Sequence, residues 1–123
     1  MADVIFSSSY DEKHAPINIL NANKKQFFSS TGMFPQELCI QFQAEKELRN
    51  VTLTSYGIKR IEIQTCENAA AMQFVSQAEQ SEIPGGKMQN ISLSLEKRPR
   101  VKVLKIIVLE GYEDFFTIHS VSI

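Results

Sequence analysis

From Leu38 onward the apolar residues recur mainly at every second position, in short runs divided by polar or Gly/Pro punctuation, which is the pattern of half-buried strands. Leu38, Ile40 and Phe42 share a face against Gln41 and Gln43. Val51 and Leu53 alternate with Thr52 and Thr54, Ile61 and Ile63 with Arg60, Glu62 and Gln64, and Ile91, Leu93 and Leu95 with Asn90, Ser92 and Ser94. The run Val101 to Leu109 differs. Leu104, Ile106 and Val108 occupy one face and Val103, Ile107 and Leu109 the other, so this strand is expected to be central and covered on both sides. A last strand over Phe115 to Ile123 resumes alternation through Phe116 and Ile118.

Between these strands lie turn signals. Ile83-Pro84-Gly85-Gly86 reads as a turn, and Lys97-Arg98-Pro99-Arg100 as a solvated turn ahead of an apolar strand. Asn68 to Gln80 is ambiguous, because Ala69-Ala70-Ala71-Met72 favours helix; it is read as a loop leading into a strand near Met72 to Ala78. A single helical turn is expected at Pro16 to Leu20, since proline is tolerated in the first turn of a helix. The sum is an all-β fold: a two-sheet antiparallel sandwich, with jelly-roll topology preferred over an immunoglobulin-like one, for which the chain lacks tryptophan and suitably spaced cysteines. The whole span 1–123 is read as one domain.

Composition narrows the function classes. With 13 Lys+Arg against 14 Asp+Glu the chain has no basic excess to displace counterions from phosphates, so no nucleic-acid partner is expected. Val4-Ile5-Phe6 is the only apolar patch near the start and no apolar run is long enough to span a bilayer, so a soluble, intracellular protein with no direct membrane insertion is expected. Cys39 and Cys66 stand alone and are read as reduced packing residues.

Catalytic machinery is sparse: there is no Gly-x-Ser-x-Gly elbow, phosphate-binding loop, His-Glu-x-x-His pair or dinucleotide fingerprint. His14 and His119 sit far apart in sequence, and a joint role would require the fold to bring them together. The carboxylate pairs Asp11-Glu12 and Glu113-Asp114 read as solvated loops, and Phe27-Phe28, Phe34, Tyr112 and Phe115-Phe116 as core filler, any exposed member marking a partner site. No catalytic residue and no cofactor are assigned, and a protein-binding role is expected.

The segment Ser9-Tyr10-Asp11-Glu12-Lys13-His14-Ala15-Pro16, continuing through Ile17-Asn18-Ile19-Leu20 to Phe27-Phe28 and Thr31-Gly32-Met33-Phe34-Pro35-Gln36-Glu37, resembles the intraflagellar transport protein 25 family. The likeness resumes at Leu104-Lys105-Ile106-Ile107 and His119-Ser120-Val121-Ser122. It implies a galactose-binding-domain-like jelly roll and a non-catalytic adaptor subunit of the intraflagellar transport B complex, located in cilium and cytoplasm. The implied partners are a Rab-like small GTPase resembling intraflagellar transport protein 27 and other subunits of that complex.

Many family members also carry a calcium-binding loop after the helical turn. In this chain its Asp-Gly positions read Asn21-Ala22 and its Thr position Gln26, with Phe28 as the closing aromatic. Calcium prefers charged oxygen ligands, while this loop offers neutral amides beside Lys24-Lys25, so its calcium site is expected to be lost or very weak. Two other readings stand beside the adaptor: a structural component fixed in the axoneme or another stable assembly, and a small hydrolase or ligand-binding sandwich using His14 or His119. A sugar site is disfavoured, because such sites use an exposed aromatic platform and the chain has no tryptophan.

Overall fold

The computed structural model describes residues 2–20, 26–68, 70 and 73–123. Among the described residues nine strands run in the order β1 (Ala2–Ser7), β2 (Phe28–Ser29), β3 (Gln36–Glu47), β4 (Asn50–Tyr56), β5 (Ile58–Cys66), β6 (Val75–Gln80), β7 (Gln89–Ser94), β8 (Arg100–Gly111) and β9 (Thr117–Ser122). A 3₁₀ turn, Pro16–Leu20, lies between β1 and β2. Five strands form one sheet in the order β1-β3-β8-β5-β6 and four form a second in the order β2-β9-β4-β7, with antiparallel pairing throughout. This is the two-sheet antiparallel jelly-roll sandwich that the alternation predicts.

The core is the shared interior of the two sheets. Leu38, Ile40 and Phe42 of β3, Leu104, Ile106 and Val108 of β8 and Ile61 and Ile63 of β5 meet Val51 and Leu53 of β4, Ile91 and Leu93 of β7 and Ile118 of β9. Register maintains the segregation: Val51 opposes Leu93 and Leu53 opposes Ile91, so the dry positions of neighbouring strands align and their Thr, Ser and Asn neighbours face water together. Ile19 and Pro16 of the 3₁₀ turn are buried, and Ile19 joins the same cluster.

β8 is the central strand, flanked by β3 and β5. Its outer-face residue Val103 is buried in a small second cluster with Cys39 and Cys66, against which Phe74 packs. Both cysteines are free thiols. They sit on the strands either side of β8, so their Cα atoms are about 10 Å apart at ordinary strand spacing, beyond the reach of a disulfide.

Three expectations about elements are corrected. β1 was not foreseen as a strand. A bulge between Val4 and Phe6 leaves Ile5 out of the pairing with β3, and this extra residue destroys the every-second-position signal. β2 is only two residues long and is defined by its pairing with β9, information that no local pattern carries. The sixth strand begins at Val75, not near Met72, and extends to Gln80; Met72 lies outside the described residues. The turn at Lys97 is present, with Arg98 in the left-handed region at φ 45°.

Candidate protein-interaction surface

The motif segment Ser9 to Glu37 wraps one end of the sandwich, and most of its signature residues serve architecture. Asp11 accepts a bond from the Lys13 amide (3.0 Å) and its carbonyl accepts one from His14 (3.0 Å), closing a turn beside the exposed Glu12. Pro16 opens the 3₁₀ turn and is buried. Thr31 and Gly32 are exposed, Gly32 holding φ 89° where an L side chain is strained. Phe34 stacks on Phe116 (5.8 Å between centroids), and the Phe34–Pro35 bond is cis. Gln36 is buried and donates to the Met33 carbonyl (2.6 Å). The Glu37 amide donates to Ser8 Oγ (2.8 Å) while the Ser8 amide donates to the Glu37 carbonyl (2.9 Å), tying this segment to the end of β1. Of the degenerate calcium-type loop, Asn21 and Ala22 lie outside the described residues, and Gln26 is exposed.

The fold does bring His14 and His119 together. Their rings flank Phe27, at centroid separations of 4.2 and 4.8 Å, so both faces of this half-buried phenylalanine are occupied. The Asn18 side-chain amide donates to the Phe27 carbonyl (3.0 Å), and His119 Nε2 lies 3.1 Å from Thr117 Oγ1. The arrangement is a three-ring stack joining the 3₁₀ region to β9. Its hydrogen-bonding neighbours are an amide and a hydroxyl, with no carboxylate oriented on either imidazole among the described residues.

The two outer faces of the sandwich differ. On the four-stranded sheet Asn50, Thr52, Thr54, Asn90, Ser92 and Ser94 make a polar surface, with Thr54 Oγ1 3.4 Å from Asn90 Oδ1. On the five-stranded sheet the Cys39, Cys66 and Val103 cluster is covered by Phe74, whose ring lies 4.1 Å from Lys105 Nζ. Lys105 also pairs with Glu37 at 3.6 Å. Burial pushes the Cys39 thiol pKa up, an effect that nearby Lys105 opposes and Glu37 reinforces. Arg60 bridges Glu79 of β6 and Glu110 of β8 at 2.5 and 3.5 Å.

Exposed apolar side chains occur at several places, Met33, Tyr112 and Phe115 among them, and one cluster of them lies at the β1 edge. Ile5 is 43% exposed, Phe6 50%, Tyr10 67% and Ile17 48%. With Val4 and Pro16 they line a groove of about 340 Å³ between β1 and the 3₁₀ turn. A second groove of about 360 Å³, lined by Ala2, Asp3, Ile5, Gln41, Phe42 and Gln43, meets the first at Ile5. Half-exposed apolar side chains clustered in this way make the β1 edge a candidate interaction surface. The sequence signal was the unpatterned triplet Val4-Ile5-Phe6, which alternation alone does not classify.

No family model matches the chain. Among curated relatives, the human intraflagellar transport protein 25 homolog (Homo sapiens) is 30% identical over 122 residues, covering 98% of this chain and 84% of the relative. The chain belongs to the intraflagellar transport protein 25 family. The mouse homolog (Mus musculus) is 29% identical over 121 residues with the same coverage. Among solved structures, this family member is similar to the family 32 carbohydrate-binding module of Clostridium perfringens NanJ in complex with galactose. The TM-score is 0.82 at 13% identity, covering 98% of this chain and 97% of that one. A second Clostridium perfringens module of that family, in complex with GalNAc-β-1,3-galactose, has a TM-score of 0.81 at 12% identity and covers 98% of this chain and 92% of its own. At such identity the likeness establishes the galactose-binding-like jelly-roll fold and nothing about ligands.

Proposed function

We propose that this chain is a non-catalytic protein-binding subunit of ciliary intraflagellar transport, pairing with and stabilising a Rab-like small GTPase that resembles intraflagellar transport protein 27. The observation that carries the reading is the 30% identity, extending over nearly the whole chain, to a relative named for that transport. Its place of action is then the cilium and the cytoplasm that supplies it, alongside other subunits of the same complex.

Two features of the surface support binding over catalysis or sugar recognition. The histidines with which a hydrolytic role would begin are stacked on Phe27, and the ring contact of His119 is with the neutral Thr117 hydroxyl. The same stack leaves Phe27 without an open ring face of the kind on which a sugar lies. Meanwhile the β1 edge presents apolar side chains to solvent, an arrangement whose energetic cost a partner would remove.

Co-expression with the GTPase tests the proposal. The two proteins are expected to elute as one species from a sizing column at micromolar concentration, and separate elution overturns the pairing.

A further inference from the structure

We infer that the β1 edge is the docking site and that its occupant is an extended segment of the protein partner, apolar at alternate positions and flanked by basic residues, which pairs with β1 as an added strand. The inference rests on the protein-binding reading above and specifies where and how that binding occurs.

Among the described strands β1 pairs only with β3 and stands at the edge of the five-stranded sheet, with the 3₁₀ turn packed beside it across the first groove. The backbone groups on its other side meet no backbone partner among the described residues, and an unpaired edge is a template for another strand. The residue Ile5, which the bulge leaves out of the ladder with β3, sits where the two grooves meet, one between β1 and the 3₁₀ turn and the other, of mixed polarity, over β1 and β3, so together they follow β1 from Ala2 to Ser7. Six residues of strand span about 20 Å, the length of an ordinary strand of equal size laid alongside. Alternate side chains of such a strand project to one face, which suits two grooves separated by one ridge.

The other edges lack this combination. β6 and β7 carry mainly polar exposed residues (Ser76, Glu79, Asn90 and Ser92 among them), and β2 is two residues long. β1 itself contains neither lysine nor proline, two residues that commonly protect an edge; the protecting features it does carry are its bulge and Asp3.

Charge selects the partner. Asp3 lines the groove at one end of the strand, while Asp11 and Glu12 stand in the turn that follows Tyr10 at the other. Asp3 and Glu12 form no ion pair among the described residues. A basic residue at each end of the incoming segment would meet these carboxylates, and the attraction would steer encounter and weaken with salt.

The experiment uses the full chain and the purified Rab-like GTPase as probe. Phe6→Glu with Ile17→Glu places charges in the groove, Asp3→Asn with Glu12→Gln removes the acidic flanks, and Val75→Glu, at a residue 57% exposed on β6, is the control. All alter exposed positions, so circular dichroism and melting temperature are expected to match wild type. The groove variant is expected to weaken binding by about tenfold or more, and the control to leave it unchanged. The flank variant is expected to flatten the salt dependence. In the wild-type complex the amides of residues 2–7 are expected to gain protection from hydrogen exchange.

Wild-type affinity in the groove variant, or no new protection at 2–7, overturns the inference while leaving the pairing intact. If the groove variant does not fold, the exchange measurement on the wild-type complex decides alone. A wild-type homodimer that the GTPase does not displace and that Phe6→Glu disrupts overturns the choice of occupant in favour of a second copy. A wild-type chain that binds no GTPase removes the proposed function, and this inference with it.

Discussion

Gln89 is 5% exposed, yet its amide is fully used. Its Oε1 accepts from Ser55 Oγ and from the Ile58 amide, each at 3.1 Å, while its Nε2 donates to the Ile58 carbonyl at 2.6 Å and the Pro84 carbonyl at 2.9 Å. These bonds anchor the tight turn at Gly57, which holds φ 88° between β4 and β5, to β7 and to the Ile83–Gly85 loop. Gln89→Leu preserves bulk but leaves buried backbone groups without partners. It is expected to cost about 2–4 kcal/mol in denaturant unfolding. Alternation places it on the dry face, two residues before Ile91, but nothing local shows which groups its amide meets there. Cys39 permits a second test. Its thiol pKa is raised by burial, so as pH rises the unfolded thiol ionises first and the native state holds more protons. The contribution of this group to stability is therefore full below the ordinary thiol range and falls as pH climbs through the higher native value. Cys39→Ala is expected to shallow the alkaline decline in melting temperature; an unchanged slope refutes this.

At the scale of elements, the central strand β8 was legible because both of its faces are apolar in the sequence, and the structure covers both. What covers the outer face was not legible, because Phe74 reaches it across the loop between β5 and β6. Phe74→Ala removes that cover and its contact with Lys105 while leaving the main core intact. Since Phe74 is only partly buried, the expected loss is about 1–2 kcal/mol, below the about 3–5 kcal/mol of a fully buried phenylalanine. Thiol labelling of Cys39 and Cys66 in native buffer is expected to quicken, and equal labelling rates in variant and parent would show that something other than Phe74 shields them. β1 gives the opposite lesson. The bulge that hides it from pattern reading is the feature that turns both Ile5 and Phe6 toward solvent.

For the molecule as a whole, the family relationship brings the question of calcium with it. Neutral Asn21, Ala22 and Gln26 beside Lys24 and Lys25 supply few hard, charged oxygens, so millimolar calcium is expected to leave the melting temperature where a chelator leaves it. A calcium-dependent rise would overturn that expectation. Alternation was sufficient to locate most strands of the sandwich, β1 and β2 excepted, and the dry side of most of those, because side chains in extended backbone point to opposite faces in turn and burial of one face dominates the energetics. The turn residues likewise announced themselves by their backbone preferences. Which outer surface stays apolar and open, which histidines stack on Phe27, and which carboxylates flank the β1 edge depend on strand order and register between segments many residues apart. Those relations are set by how the two sheets close over their common interior, and no short stretch of chain encodes them.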